Sequence, residues 1–240
     1  MKLNDAVPFV ATVLMFAFAA IVLQKFVQRR HLHNLFWGVG LAMFGIGTFA
    51  EAYLAIAWSD ALFRAWYVFG AMLNAGWLGH GSLILLARRP WLRFVTAALV
   101  VLSAVGIIAT FTIPINSAAF TTTMAVGEQY KAILPPGAPV RLLTPIFNIY
   151  GTIFLVGGAF YSAYLYRRKQ MAAHRVAGNI LIAVGALVIA AAGTLTRLFF
   201  GGLLSISELI AAVLMFGGFM IASAPAAALA PAASEAQRPV

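Results

Sequence analysis

Seven runs of predominantly apolar residues divide this chain, and they leave it little choice of fold. They cover about residues 7–24, 35–58, 62–87, 92–113, 142–166, 176–198 and 203–223. Each is close to the roughly 20 residues that cross about 30 Å of hydrocarbon as a helix. Inside hydrocarbon every backbone N–H and C=O must be satisfied within the protein, so a single run of this length spans as an α-helix. The chain therefore reads as all-α: residues 1–223 form one polytopic membrane domain, a bundle of seven transmembrane helices. Composition decides against a soluble alternative, with 9% charged residues where soluble domains carry about 25%. Residues 115–140 are the one long connection. Its first half is fairly apolar and precedes Pro135-Pro136-Gly137, which predicts a segment lying along the membrane surface. Residues 224–240 are rich in Ala and Pro, lack aromatics, and read as a disordered tail.

Charge supplies the expected orientation. The formal net charge is +10, and the bases gather as Lys25/Arg29/Arg30, Arg88/Arg89/Arg93 and Arg167/Arg168/Lys169/Arg175, all at one end of the bundle. The positive-inside rule makes that end cytoplasmic and puts the N-terminus outside, with the tail in the cytoplasm. The loops of the opposite end carry Asp60 and Glu128, in agreement. Trp37, Trp58, Trp66, Trp91, Tyr164 and Tyr166 fall near span ends and predict interfacial belts. Ala17-Phe18-Ala19 resembles a signal-peptidase site, but the apolar run continues past it and the bases follow it, so the first span reads as a retained helix. Arg outnumbers Lys and Ala is abundant, which points to the cytoplasmic membrane of a prokaryote. The basic clusters sit between spans instead of on a contiguous polar surface, which excludes nucleic acid as a partner. The expected partners are the lipid bilayer and a membrane protein or second copy of the chain.

Polar residues within the spans are the candidates for function. A carboxylate or guanidinium at mid-membrane depth costs about 2.5–3.5 kcal/mol on insertion scales, so each asks for a partner or a purpose. Glu51 and Arg64 flank the turn at residues 58–61, and Arg197 and Glu208 flank the last turn in the mirrored order. The spacing predicts two Glu–Arg pairs that staple the hairpins, or a polar cavity in the outer half of the bundle whose carboxylates bind a cation, a proton or a polar headgroup. Arg64, Tyr67, Ala71 and Asn74 share a narrow arc of span 3. Thr144, Asn148, Thr152, Ala159 and Ser162 form a second polar and small stripe along span 5. The candidate ligand-binding residues are Glu51, Arg64, Tyr67, Asn74, Asn148, Arg197 and Glu208. Small residues four apart, Gly38/Ala42, Gly158/Ser162 and Ala186/Ala190/Thr194, predict close helix packing.

Other chemistry is excluded or unsupported. The absence of cysteine removes disulfides, thiolate metal sites, iron–sulfur clusters and a cysteine nucleophile. No H-E-x-x-H, G-x-S-x-G or Walker motif is present. The only aspartates, Asp5 and Asp60, cannot form a close pair for magnesium–diphosphate, so the reading leans away from an enzyme. His80 lies well inside span 3; with His33 it lacks any regular ligand spacing, so it reads as a hydrogen-bonded packing residue, and no metal or cofactor is expected. Arg64 followed by Trp66 is faintly similar to the third helix of microbial rhodopsins, but span 7 has no lysine for a retinal Schiff base, and no family is assigned. The expected function is non-enzymatic binding of a small, partly apolar molecule or ion in an outward-facing pocket, as transporter or sensor. The alternative is an accessory subunit of a larger membrane complex. A sensor would need an output partner, because the short loops and tail cannot form a signalling domain.

Overall fold

Uninterrupted apolar runs become helices, and the residues between them stop those helices. The computed structural model of the chain describes residues 3–87, 89–170, 173–198 and 203–224, with the side chains of residues 3–6, 193–198 and 203–204 outside the description. The helices are α1 (Leu3–Arg29), α2 (Leu32–Leu54), α3 (Asp60–Ala65), α4 (Asn74–Leu86), α5 (Leu92–Thr112), α6 (Val126–Ile133), α7 (Val140–Arg168), α8 (Ala173–Leu198) and α9 (Leu203–Ser223). A π-helical segment, Trp66–Leu73, joins α3 to α4 without a break. With α3 and α4 counted as one span, seven helices are long and apolar enough to cross a membrane, and no strand occurs among the described residues. The predicted tail beyond residue 224 lies outside the described residues.

The ends have local causes. Ser59 caps α3 by accepting from the Leu62 N–H at 3.4 Å, and Trp58 Nε1 donates to Asp60 Oδ1 at 2.6 Å. Arg30 and Gln170 close α1 and α7 with positive φ, 54° and 50°, the left-handed position usually given to glycine. The first helix thus runs on through its basic cluster to Arg29, and α2 stops at Leu54, short of the predicted residue 58.

The helices close into a ring in the order α1, α2, α4, α7, α8, α9 and back to α1, with α5 outside it against α4, the π segment and α7. Three backbone contacts set the ring's dimensions. A Cβ on Gly151 would come closer than 3.0 Å to the backbone of Ala75, one on Gly47 to that of Gly70, and one on Gly178 to that of Gly218. Small residues matter here because lipid tails give apolar side chains no reason to prefer each other, so close backbone approach supplies the attraction. The predicted small pairs serve differently: Gly38 meets the Leu23 side chain and Gly158 meets Ser82, while Ala186 is buried. The Thr194 side chain lies outside the described residues.

His80 attaches α5 to the ring. It is 0% exposed, with Nδ1 2.7 Å from the Tyr150 hydroxyl and Nε2 2.8 Å from Thr96 Oγ1. Because the Thr96 hydroxyl donates to the Leu92 carbonyl at 2.9 Å, the imidazole hydrogen belongs on Nε2, and the Tyr150 hydroxyl donates to Nδ1. Both ring nitrogens are thus used in packing, as expected for this residue.

The long connection folds back over one end of the ring. Its helix, α6, falls in the second half of the connection, and Ile133 and Leu134 are fully buried against a cluster that includes Phe63, Trp66 and Tyr67. Gln129 holds the preceding loop: its Oε1 accepts from the Thr121 N–H, and its Nε2 donates to the carbonyls of Thr121 and Met124, each at 2.8 Å. Trp66, expected at an interface, is buried inside, and Trp37 donates to Ser82 Oγ at 3.3 Å within the bundle. The outer faces are lined by large apolar side chains such as Val13, Val101, Ile108 and Leu142, a surface suited to lipid.

Candidate functional site

Two carboxyls from distant parts of the chain meet inside the ring. Glu51 lies in the last turn of α2, 5% exposed. Across from it, α9 presents Ser205 and Glu208, three residues apart and so on one helix face. Ser205 Oγ donates to Glu51 Oε1 at 2.6 Å. The Glu208 carboxyl, in a residue 9% exposed, stands beside that of Glu51, and the Trp66 side chain is within reach of the same carboxyl. Glu51 Oε2 and Glu208 Oε2 are buried without a hydrogen-bond partner. Among the described residues no cation pairs with either carboxyl.

The expected Glu51–Arg64 staple is not formed. Arg64 Nη1 donates to the carbonyls of Thr110 and Ile113, the latter at 2.9 Å. These are orphan acceptors at the C-terminal end of α5, where Pro114 follows and the helix dipole favours positive charge. Arg64 thus holds α5 against α3 and leaves the ring interior to the carboxyls. The second expected pair involves Arg197, whose side chain lies outside the described residues; on its other side, Glu208 stands beside Glu51.

Next to the carboxyls is a cavity of about 730 Å³. The π segment and α4 supply Trp66, Tyr67, Ala71 and Asn74; α7 supplies Thr144, Asn148 and Thr152; α9 supplies Glu208 and Met215. Ala186 and Ala190 of α8 keep the opposite wall shallow. Tyr130 and Lys131 of α6, with Arg141, form the rim under the folded-back connection. Wall and wall are tied: the Tyr67 hydroxyl lies 2.9 Å from Thr144 Oγ1, and Asn148 Nδ2 donates to the carbonyls of Ala71 at 2.8 Å and Thr144 at 2.9 Å. Ala71 lies within the π segment, whose changed backbone pairing suits a carbonyl that accepts from a neighbouring helix.

The floor is apolar. Leu78, Leu155 and Met215 line the cavity and also a small cleft of about 70 Å³ toward the basic end, which includes Ser82, Ser162 and Asn179. The polar stripe of α7 therefore runs through both spaces, with Leu155 between them.

Of the residues predicted from sequence, Tyr67, Asn74, Asn148 and Glu208 line the cavity, Glu51 stands against Glu208, and Arg64 points elsewhere. Ser205, Trp66, Lys131 and Arg141 were missed. Ser205 was legible in principle, because it shares a helix face with Glu208. Lys131 required knowing that α6 folds back. No group of three or more His, Cys, Asp or Glu side chains among the described residues is placed to hold a metal ion. Comparison of the chain with protein-family models, curated proteins and solved structures finds no match.

Proposed function

We propose that this chain is a multi-pass membrane protein that binds a small, partly apolar molecule or ion in the cavity between the π segment, α7, α8 and α9, as a transporter or sensor. The observation that carries the reading is the cavity itself: about 730 Å³ of space beside a buried carboxyl whose Oε2 has no partner. Ligand sites are typically concave, mostly apolar and furnished with a few convergent polar groups, and this cavity has that character. An accessory subunit held by hairpin staples would need neither the space nor two adjacent carboxyls. In the proposed orientation the basic clusters are cytoplasmic and the cavity lies in the outer half of the bundle, under α6. A transporter is the more economical version. The cavity and the basic-end cleft meet at Leu78, Leu155 and Met215, which line both, so the two spaces lie in series along the bundle.

Protein extracted with its native lipids tests the reading. Small molecules released on denaturing the parent should be missing from Thr152→Trp and Ala71→Trp, which fill the cavity. The same molecules in parent and variants, or none in the parent, would count against it.

A further inference from the structure

The carboxyl pair specifies more than a pocket. We infer that the cavity recognises an amphiphilic monovalent cation, an alkyl- or arylalkylammonium, with its nitrogen at the Glu51 and Glu208 carboxyls; this rests on the binding reading above and adds the chemical class.

The carboxyls define the head. Glu208 is nine-tenths buried yet lines the cavity, Glu51 is more deeply buried beside it, and each keeps one oxygen unpartnered. Among the described residues Ser205 donates to Glu51, the Glu208 carboxyl and the Trp66 side chain stand within reach of it, and no positive charge does. An ammonium brings three N–H donors and a positive charge in one group, and beside two neighbouring carboxyls it lets both ionise by relieving their mutual repulsion. Trp66 and Tyr67, which also line the space, offer aromatic faces that attract such a cation. A bare divalent ion fits poorly, since calcium takes six to eight oxygen ligands and among the described residues no third acidic or imidazole ligand joins the pair.

The rest of the cavity defines the body and its route. Leu78, Leu155, Val156 and Met215 provide an apolar surface for a hydrocarbon or aryl group. Lys131 and Arg141 at the rim repel small inorganic cations arriving through water. On the flank, Ile149 and Ile153 line the cavity while 61% and 59% exposed on the outer side of α7. The space therefore reaches the side of the bundle, where an amphiphile dissolved in the bilayer can enter past the basic rim.

The test uses an isosteric pair of probes, 4-phenylbutylammonium and 4-phenylbutanol, titrated calorimetrically into the purified full chain with empty micelles as the blank. The parent should bind the ammonium at least tenfold more tightly than the alcohol. Glu208→Gln and Glu51→Gln should each cut that preference at least threefold, and the double variant should abolish it, while alcohol affinity stays within twofold. Retained alcohol binding reports that the fold survives, and the single variants carry the test if the double variant does not fold. Equal affinity of the parent for both probes would overturn the cation inference and leave the cavity reading standing. A preference that survives the double variant would overturn the assigned location. Binding of neither probe by the parent would overturn both readings.

Discussion

Arg64 and Glu51 illustrate how far residue type reaches. The sequence shows that a base and an acid enter the apolar phase near the same turn, and nearness along the chain suggests that they pair. The structure gives each a different partner, because orphan carbonyls at the end of α5 accept from Arg64, and Glu51 faces a serine 154 residues away. Breaking a true buried pair costs about 3–5 kcal/mol. Glu51→Gln, which strands no cation among the described residues, should change stability in detergent melts by less than about 1 kcal/mol. Arg64→Leu should lower it by about 1.5–3 kcal/mol, the range for hydrogen bonds to a charged group. Gly151→Ala should be costlier than its size suggests, about 1–3 kcal/mol, because the new methyl meets the Ala75 backbone and α7 must move away from α4. The same melts decide all three.

At the scale of elements, span number and approximate limits were legible because about 20 apolar residues have one solution in hydrocarbon. The π segment was not, since Trp66–Leu73 is as apolar as its neighbours and its wider turn is set by packing, with Gly70 against Gly47 on one side and Asn148 reaching Ala71 on the other. Helix α6 left a trace in the sequence, Val126, Tyr130 and Ile133 at helical spacing. Eight residues are too few to form a stable helix alone, and only its burial over the ring secures it. Gln129→Ala removes three hydrogen bonds that hold the loop before this helix. It should cost about 1–3 kcal/mol and raise amide exchange selectively across residues 121–133, leaving the spans protected.

For the whole molecule, the all-helical class with seven helices long and apolar enough to cross a membrane follows from the apolar runs, but the ring order does not, because nothing local brings α9 beside α1 or sets its Ser205 on Glu51 of α2. That closure creates the site: it sets Glu208 against Glu51 and leaves space between α4, α7 and α8. The central claim is that this space is an accessible cavity in the outer half of a membrane bundle, and the natural absence of cysteine allows a clean reading. Thr152→Cys, in the cavity wall, and Ala183→Cys, fully buried in α8, are exposed separately to a membrane-impermeant anionic thiol reagent in intact cells and in inverted vesicles. The account predicts that Thr152→Cys is modified from the outside of intact cells, protected by 4-phenylbutylammonium, and that Ala183→Cys is modified from neither side. A Thr152→Cys that stays unreactive from both sides, or reacts only in inverted vesicles, would contradict it.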